Sequence, residues 1–156
     1  MTVQTAATEQ QLRHPRLQRL LAYWHDKRGS RPLPSRADID PLEFPWILGD
    51  LSLVEVHRSG GAPLRYRFRL VGSRVRERFG YDLTGTWLSE MPGTDYRLRL
   101  HKTFAEVVEK AVPMSEQLHM LIDDQLHDYE VLRLPLGEGE RVDMLMIAVD
   151  FNDRHG

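Results

Sequence analysis

Arginine supplies the densest chemistry in this sequence. Arg65, Arg67, Arg69, Arg74, Arg76 and Arg78 fall within fourteen residues. A guanidinium is a planar, permanently charged fork of donors, suited to phosphate, to a carboxylate ligand or to an acidic partner surface. Spacing of two puts the first three on one side of a strand, and spacing of four puts Arg74 and Arg78 on one helix face. The same pattern describes an ordinary solvated surface. The formal net charge is −2, so no overall attraction to nucleic acid is expected. Nor do aromatics interleave with the basic residues as on a single-strand platform.

Other reactive chemistry has little material. There is no cysteine, which removes disulfides, thiolate metal sites, cysteine nucleophiles and any flavin–cysteinyl adduct. The histidines at 14, 25, 57, 101, 119, 127 and 155 show neither HxxxH nor HExxH spacing, so no metal site is expected. No G-x-S-x-G, P-loop or dinucleotide-binding glycine pattern occurs. Asp123 and Asp124 are adjacent, in an expected turn where their side chains need not converge. The chain is read as not an enzyme, with a small enzyme bearing an unrecognised site kept as an alternative.

Elements must position these groups. At 156 residues, 41% hydrophobic and 28% charged, the chain suits one soluble domain with a real core. Leu64, Tyr66, Phe68 and Leu70 alternate with the arginines, the period of a half-buried strand. Ser73 is placed to N-cap a short helix through Arg78 or Phe79, with Gly80 at its exit. Pro15 opens a helix over 14–28 whose stripe is Leu17, Leu20, Leu21 and Trp24. That stripe either caps its own domain or forms a partner surface. A Pro- and Ser-rich connector comes next, then Asp40-Pro41 as N-cap and first residue of a short helix. Thr94 or Asp95 caps a longer helix ending near Lys110.

Strands are expected at 51–56, 64–70, 114–122, 127–136 and 142–151. The first and last are apolar on both faces and read as central, covered from both sides. On 114–122, Met114, Leu118, Met120 and Ile122 share a face with one odd member, Glu116. Strands segregated from helices predict an α+β fold with a mainly antiparallel sheet. Residues 1–12 are polar and expected to be flexible, 13–49 to hold the helix and connector, and 50–152 the core. No apolar run approaches a bilayer span, and MTVQTAATEQQ lacks the marks of a signal peptide. A cytoplasmic protein without membrane or nucleic-acid partners is expected.

Four segments in this order resemble the PAS sensory domain, and more narrowly a bacterial subfamily with an N-terminal flanking helix. They are LLAYWHDKRG at 20–29, ADIDPLEFPWIL at 37–48, YRFRLVGSRVRERFGYDLTG at 66–85 and RLPLGEGERVDMLMIAVDF at 133–151. The resemblance spans about residues 12–151. It implies a PAS-like five-stranded antiparallel sheet of order 2-1-5-4-3, with helices on one face and the N-terminal helix on the other. It implies a sensory or signalling module that binds a small ligand or a protein partner. A stand-alone module without an output domain of its own is expected, its output passing to another protein.

On that fold, Tyr66, Phe68, Phe104 and Val108 are expected to line a cavity between sheet and helix, with Ser73, His101 and Glu116 as polar members. The alternative is a filled core in a pure dimerisation or docking module. A homodimer through Leu17, Leu20, Leu21 and Trp24 is expected. Haem-binding relatives carry their axial His on the helix that holds His101, but the match is only a His on that helix, and haem is disfavoured. The R-x-x-x-R of Arg74 and Arg78 resembles that of cyclic-dinucleotide-binding PilZ domains, yet Asp50-Leu51-Ser52-Leu53-Val54-Glu55 lacks the Gly of the companion motif.

Overall fold

Alternating residues on long strands build a sheet with two apolar faces, and both are covered. The computed structural model describes residues 3–122 and 125–151. The Asp123–Asp124 pair and residue 152 lie outside them. In chain order the elements are β1 (Thr5–Ala6), α1 (Pro15–Arg28), β2 (Leu51–His57), β3 (Arg65–Val71), α2 (Ser73–Phe79), α3 (Thr94–Lys110), β4 (Met114–Ile122), β5 (Gln125–Glu138) and β6 (Arg141–Asp150). Single helical turns occur at 36–38, 41–43, 48–50 and 88–90. The turn at 41–43 starts as expected, with Asp40 Oδ1 accepting from the Leu42 N–H at 3.0 Å.

The sheet runs β1-β4-β5-β6-β2-β3, antiparallel throughout. The expected five-strand order is present, and a sixth strand of two residues is added at the β4 edge. There Thr5 pairs with Ser115 and Ala6 with Met114. The segment expected to fray is therefore held down. Leu12 is buried, and Gln4 bonds Arg133, Glu106 and the Thr103 carbonyl. Polar composition alone does not reveal that a buried guanidinium needs those acceptors.

Helix α1 lies across one face of the sheet. The residues leading into it are tied to β5: Glu130, fully buried, accepts from the N–H groups of Arg13 and of the N-cap residue His14 at 3.0–3.1 Å. A carboxylate suits the positive end of a helix. Arg16 then binds Asp50 at 2.8 Å and Asp150 at 3.2 Å, both buried acids. Leu17, Leu20, Leu21 and Trp24 are all buried inside the chain, and Trp24 Nε1 donates to the Pro135 carbonyl at 2.8 Å. The expected dimer surface on these four residues is corrected: the sheet's own Leu132, Leu134 and Leu136 side gives the stripe its partner.

The other face carries α2 and α3. A β-bulge sets the geometry here. Leu53 pairs with Leu70 but Val54 pairs with Phe68, leaving Arg69 as the extra residue. A bulge bends its strand and re-aims the side chains beyond it. Leu70, expected beside Tyr66 and Phe68, is therefore 41% exposed, and Val71 turns inward. Gly72 next makes the corner into α2. It is there for close approach: its N–H donates to the Leu51 carbonyl at 2.7 Å, and an added Cβ would overlap the Gly49 carbonyl oxygen. Gly72 is also the N-cap of α2, which places Ser73 inside the helix rather than at its cap.

Among the described residues, no helix is long and apolar enough to cross a membrane. The glycine corner yields a prediction. Gly72→Ala forces backbone apart on both sides of the turn and lowers stability by about 1–3 kcal/mol. Urea unfolding should show a lower midpoint with an unchanged slope. An unchanged midpoint would mean that the corner relaxes freely.

Candidate functional site

Between α2, α3 and the sheet lies a cavity of about 120 Å³. Helix residues Val75, Phe79, Tyr96, Leu100 and Phe104 form one wall. Phe68, Tyr129, Val131, Arg133 and Ile147 form the sheet side. These sheet residues share a face because of the register: Arg133 stands opposite Ile147 and Val131 opposite Val149. The space between sheet and helices is thus a cavity and not the wholly filled core that was its alternative. The volume is well below the roughly 300–1,000 Å³ of sites for drug-sized ligands. It is comparable to the ~150 Å³ apolar cavity known to hold benzene.

Of the expected pocket residues, Phe68 and Phe104 line the cavity. Tyr66 does not. It is buried beside the cavity, edge-on to Phe104 and to His101, each at 5.3 Å between ring centres. Its hydroxyl has no hydrogen-bond partner among the described residues. Burial pushes the phenol pKa up to about 12, opposed by the positive charge of Arg58. Val108 packs on the core without lining the space. His101 is an exposed residue in the middle of α3, its Nε2 3.3 Å from the carbonyl of Leu64, just before β3. Ser73 is exposed at the start of α2, outside the cavity.

Glu116 is buried on the cavity face and is not itself a lining residue. It explains its own odd place in the apolar pattern of β4. Its Oε1 accepts from Arg133 Nη1 at 2.8 Å, across the β4–β5 ladder. The same Nη1 also donates to Gln4 Oε1 at 2.7 Å, while Arg133 Nε has no partner among the described residues. Burial pulls the Arg133 guanidinium below its usual range, and Glu116 pushes it back up. The residue that gives the cavity its charge is therefore Arg133, which sequence reasoning missed. An arginine between Leu132 and Leu134 reads as an outward position. The unexplained Glu116 was the signal that a buried cation stood nearby.

The arginine-rich stretch is spent largely inside the chain. Arg65 stacks on the Trp87 ring at 3.9 Å. Arg67 donates to the Gly85 carbonyl at 3.1 Å, fastening the 85–87 segment to β3. Arg74 binds Asp50 at 2.9 Å, and Arg76 faces Asp82 at 3.7 Å. Arg78 alone of the six lines the cavity, with its guanidinium 4.9 Å over the Phe151 ring. Among the described residues no cluster of three or more His, Asp or Glu side chains is arranged to hold a metal.

Residues 12–146 match the family model described as PAS domain. The solved structure of a variant of RsLOV aligns with a TM-score of 0.46 and 15% identity, covering 76% of this chain and 72% of that one. No curated protein matches the sequence.

The geometry yields two predictions. Arg133→Met alone strands Glu116 in the interior and should lower stability by about 3–5 kcal/mol, while Arg133→Met with Glu116→Gln should recover most of the loss. Equal losses in the single and double variants, measured by urea unfolding, would contradict this. Tyr66 tests pH dependence. Its folded pKa of about 12 lies above the ordinary value of 10.0. Folding therefore favours the protonated phenol, and its contribution is full below about pH 10 and lost as pH rises through about 12. Tyr66→Phe should be at least as stable as the parent at pH 7.5 and lose less stability by pH 11. A variant less stable at pH 7.5 would show that the hydroxyl has a partner after all.

Proposed function

Since this chain belongs to the PAS domain family, we propose that it is a sensory module: a small molecule enters the cavity, and a protein partner reads the resulting change in α1. The cavity carries this reading, because its wall is mechanically joined to the opposite face of the sheet. Helix α2 lines it through Val75 and Phe79. Next to Val75, Arg74 on the same helix binds Asp50 Oδ1, and Asp50 Oδ2 binds Arg16 on α1. Asp50 is 1% exposed, so its charge depends on these partners rather than on water. A ligand that shifts α2 changes the position of Arg74, and with it the balance at Arg16.

Thermodynamically this is a population shift between two packings of α1. A ligand moves the equilibrium only as far as its affinity differs between them. Nothing in the arrangement favours catalysis over recognition: the cavity's walls are aromatic and aliphatic, with few polar groups. The module acts through a partner, and α1 with its flanking turns is the part presented to it.

Native mass spectrometry of protein purified from its host should show a mass above that of the chain, lost on denaturation. Hydrogen exchange should then differ along α1 between the loaded protein and protein refolded without its ligand. Asp50→Asn should retain the bound mass but abolish that difference. A bare chain in the mass spectrum removes the ligand half of the proposal. An α1 response in Asp50→Asn equal to the parent's removes the coupling through Asp50.

A further inference from the structure

The cavity has a polarity that its apolar walls conceal. Two charged residues line it, Arg133 and Arg78, and both are cations. No acidic side chain among the described residues lines it. Glu116 pairs with Arg133 from outside the wall. Arg133 is 3% exposed, and its Nε–H has no acceptor among the described residues. A buried donor of a charged group left without an acceptor is costly. Guanidinium is also the group that pairs carboxylate in a planar, two-bond geometry.

The remainder of the lining limits what carries the negative group. Phe68, Phe79 and Phe104 present aromatic surface, and Tyr96 and Tyr129 add rings with a hydroxyl. Aromatic rings pack best edge-on or offset against another ring. The volume of about 120 Å³ admits one such ring with a short head group. A larger planar cofactor exceeds it.

We propose that the ligand is a small monocarboxylic acid with a ring-sized apolar body, its carboxylate held by Arg133 and its entry flanked by Arg78. The inference rests on the sensory reading above and names the ligand class for the same cavity. The guanidinium stays charged at neutral pH, so the site discriminates by charge as well as by shape. Glu116 competes with the ligand for Arg133. It holds the guanidinium in the empty state and weakens the incoming acid, which keeps binding reversible.

Calorimetric titration with benzoate and with benzyl alcohol, an uncharged molecule of similar shape, tests this on refolded, ligand-free protein at pH 7.5. Benzoate should bind at least tenfold more tightly. Glu116→Gln should tighten benzoate several-fold and leave benzyl alcohol unchanged. Arg133→Met with Glu116→Gln, which removes both charges together and keeps the fold testable by its melting curve, should erase the preference. Arg78→Met should weaken benzoate less than the double variant does. Equal binding of the two probes to the parent protein, or a neutral ligand in the native mass spectrum, would overturn the carboxylate assignment and leave the sensory reading intact. If neither probe binds and the purified protein is bare, both fall.

Discussion

A charge removed from water must find its partner inside the protein, and the sheet of this domain carries such charges on both faces. On the α1 face, Glu130, Asp50 and Asp150 are buried, and they are met by the Arg13 and His14 amides just before α1 and by Arg16. On the cavity face Arg133 is buried and is met by Glu116 and Gln4. Interior ion pairs add little net stability, but breaking one is expensive. They therefore act as registers. Helix α1 has one seat in which the Arg13 and His14 amides before it reach Glu130 while Arg16 reaches both aspartates, and the N-terminal segment has one seat in which Gln4 reaches Arg133.

The same constraint connects the two halves of the molecule. Asp50 lies at the start of β2, between the helix on one face and α2 on the other. Its two oxygens are divided between Arg16 and Arg74. The glycine corner at Gly72 brings α2 close enough for this, and the bulge at Arg69 rotates the chain so that Val71 and Val75 face inward while Leu70 does not. Backbone irregularities and buried charge thus do together what hydrophobic packing alone would not: they make the cavity wall and the flanking helix parts of one electrostatic unit. Most of the arginines in the 65–78 stretch belong to this fastening. They join loops and helices to the sheet through Trp87, Gly85, Asp50 and Asp82.

Hydrophobic periodicity made much of the fold legible in advance. The doubly apolar strands at 51–56 and 142–151 are central, α1 begins at Pro15, and α3 ends near Lys110, because these features depend on neighbouring residues and on the burial they demand. The site was legible only in part. Phe68 and Phe104 were recognisable as large apolar residues on the correct strand and helix. Tyr66 shares their pattern but lies beyond the cavity edge, Ser73 lies at the exposed start of α2, and His101 lies on an exposed side of α3. Glu116 was visible as an anomaly without an explanation.

By itself, then, the sequence determined the elements, the strand order through family resemblance, and the apolar stripe of α1, since each arises from local periodicity or from a pattern spread along the chain. Tertiary structure decided what each face meets. Whether the Leu17–Trp24 stripe covers its own sheet or another chain depends on Glu130 and Arg16 finding partners far along the chain. Whether the core holds a cavity depends on packing summed over two helices and several strands. That Arg133 points inward depends on Glu116 across a ladder and Gln4 at the far end of the chain. Long-range pairing of charge leaves no periodic trace in a sequence, because neither partner's position constrains its own neighbours.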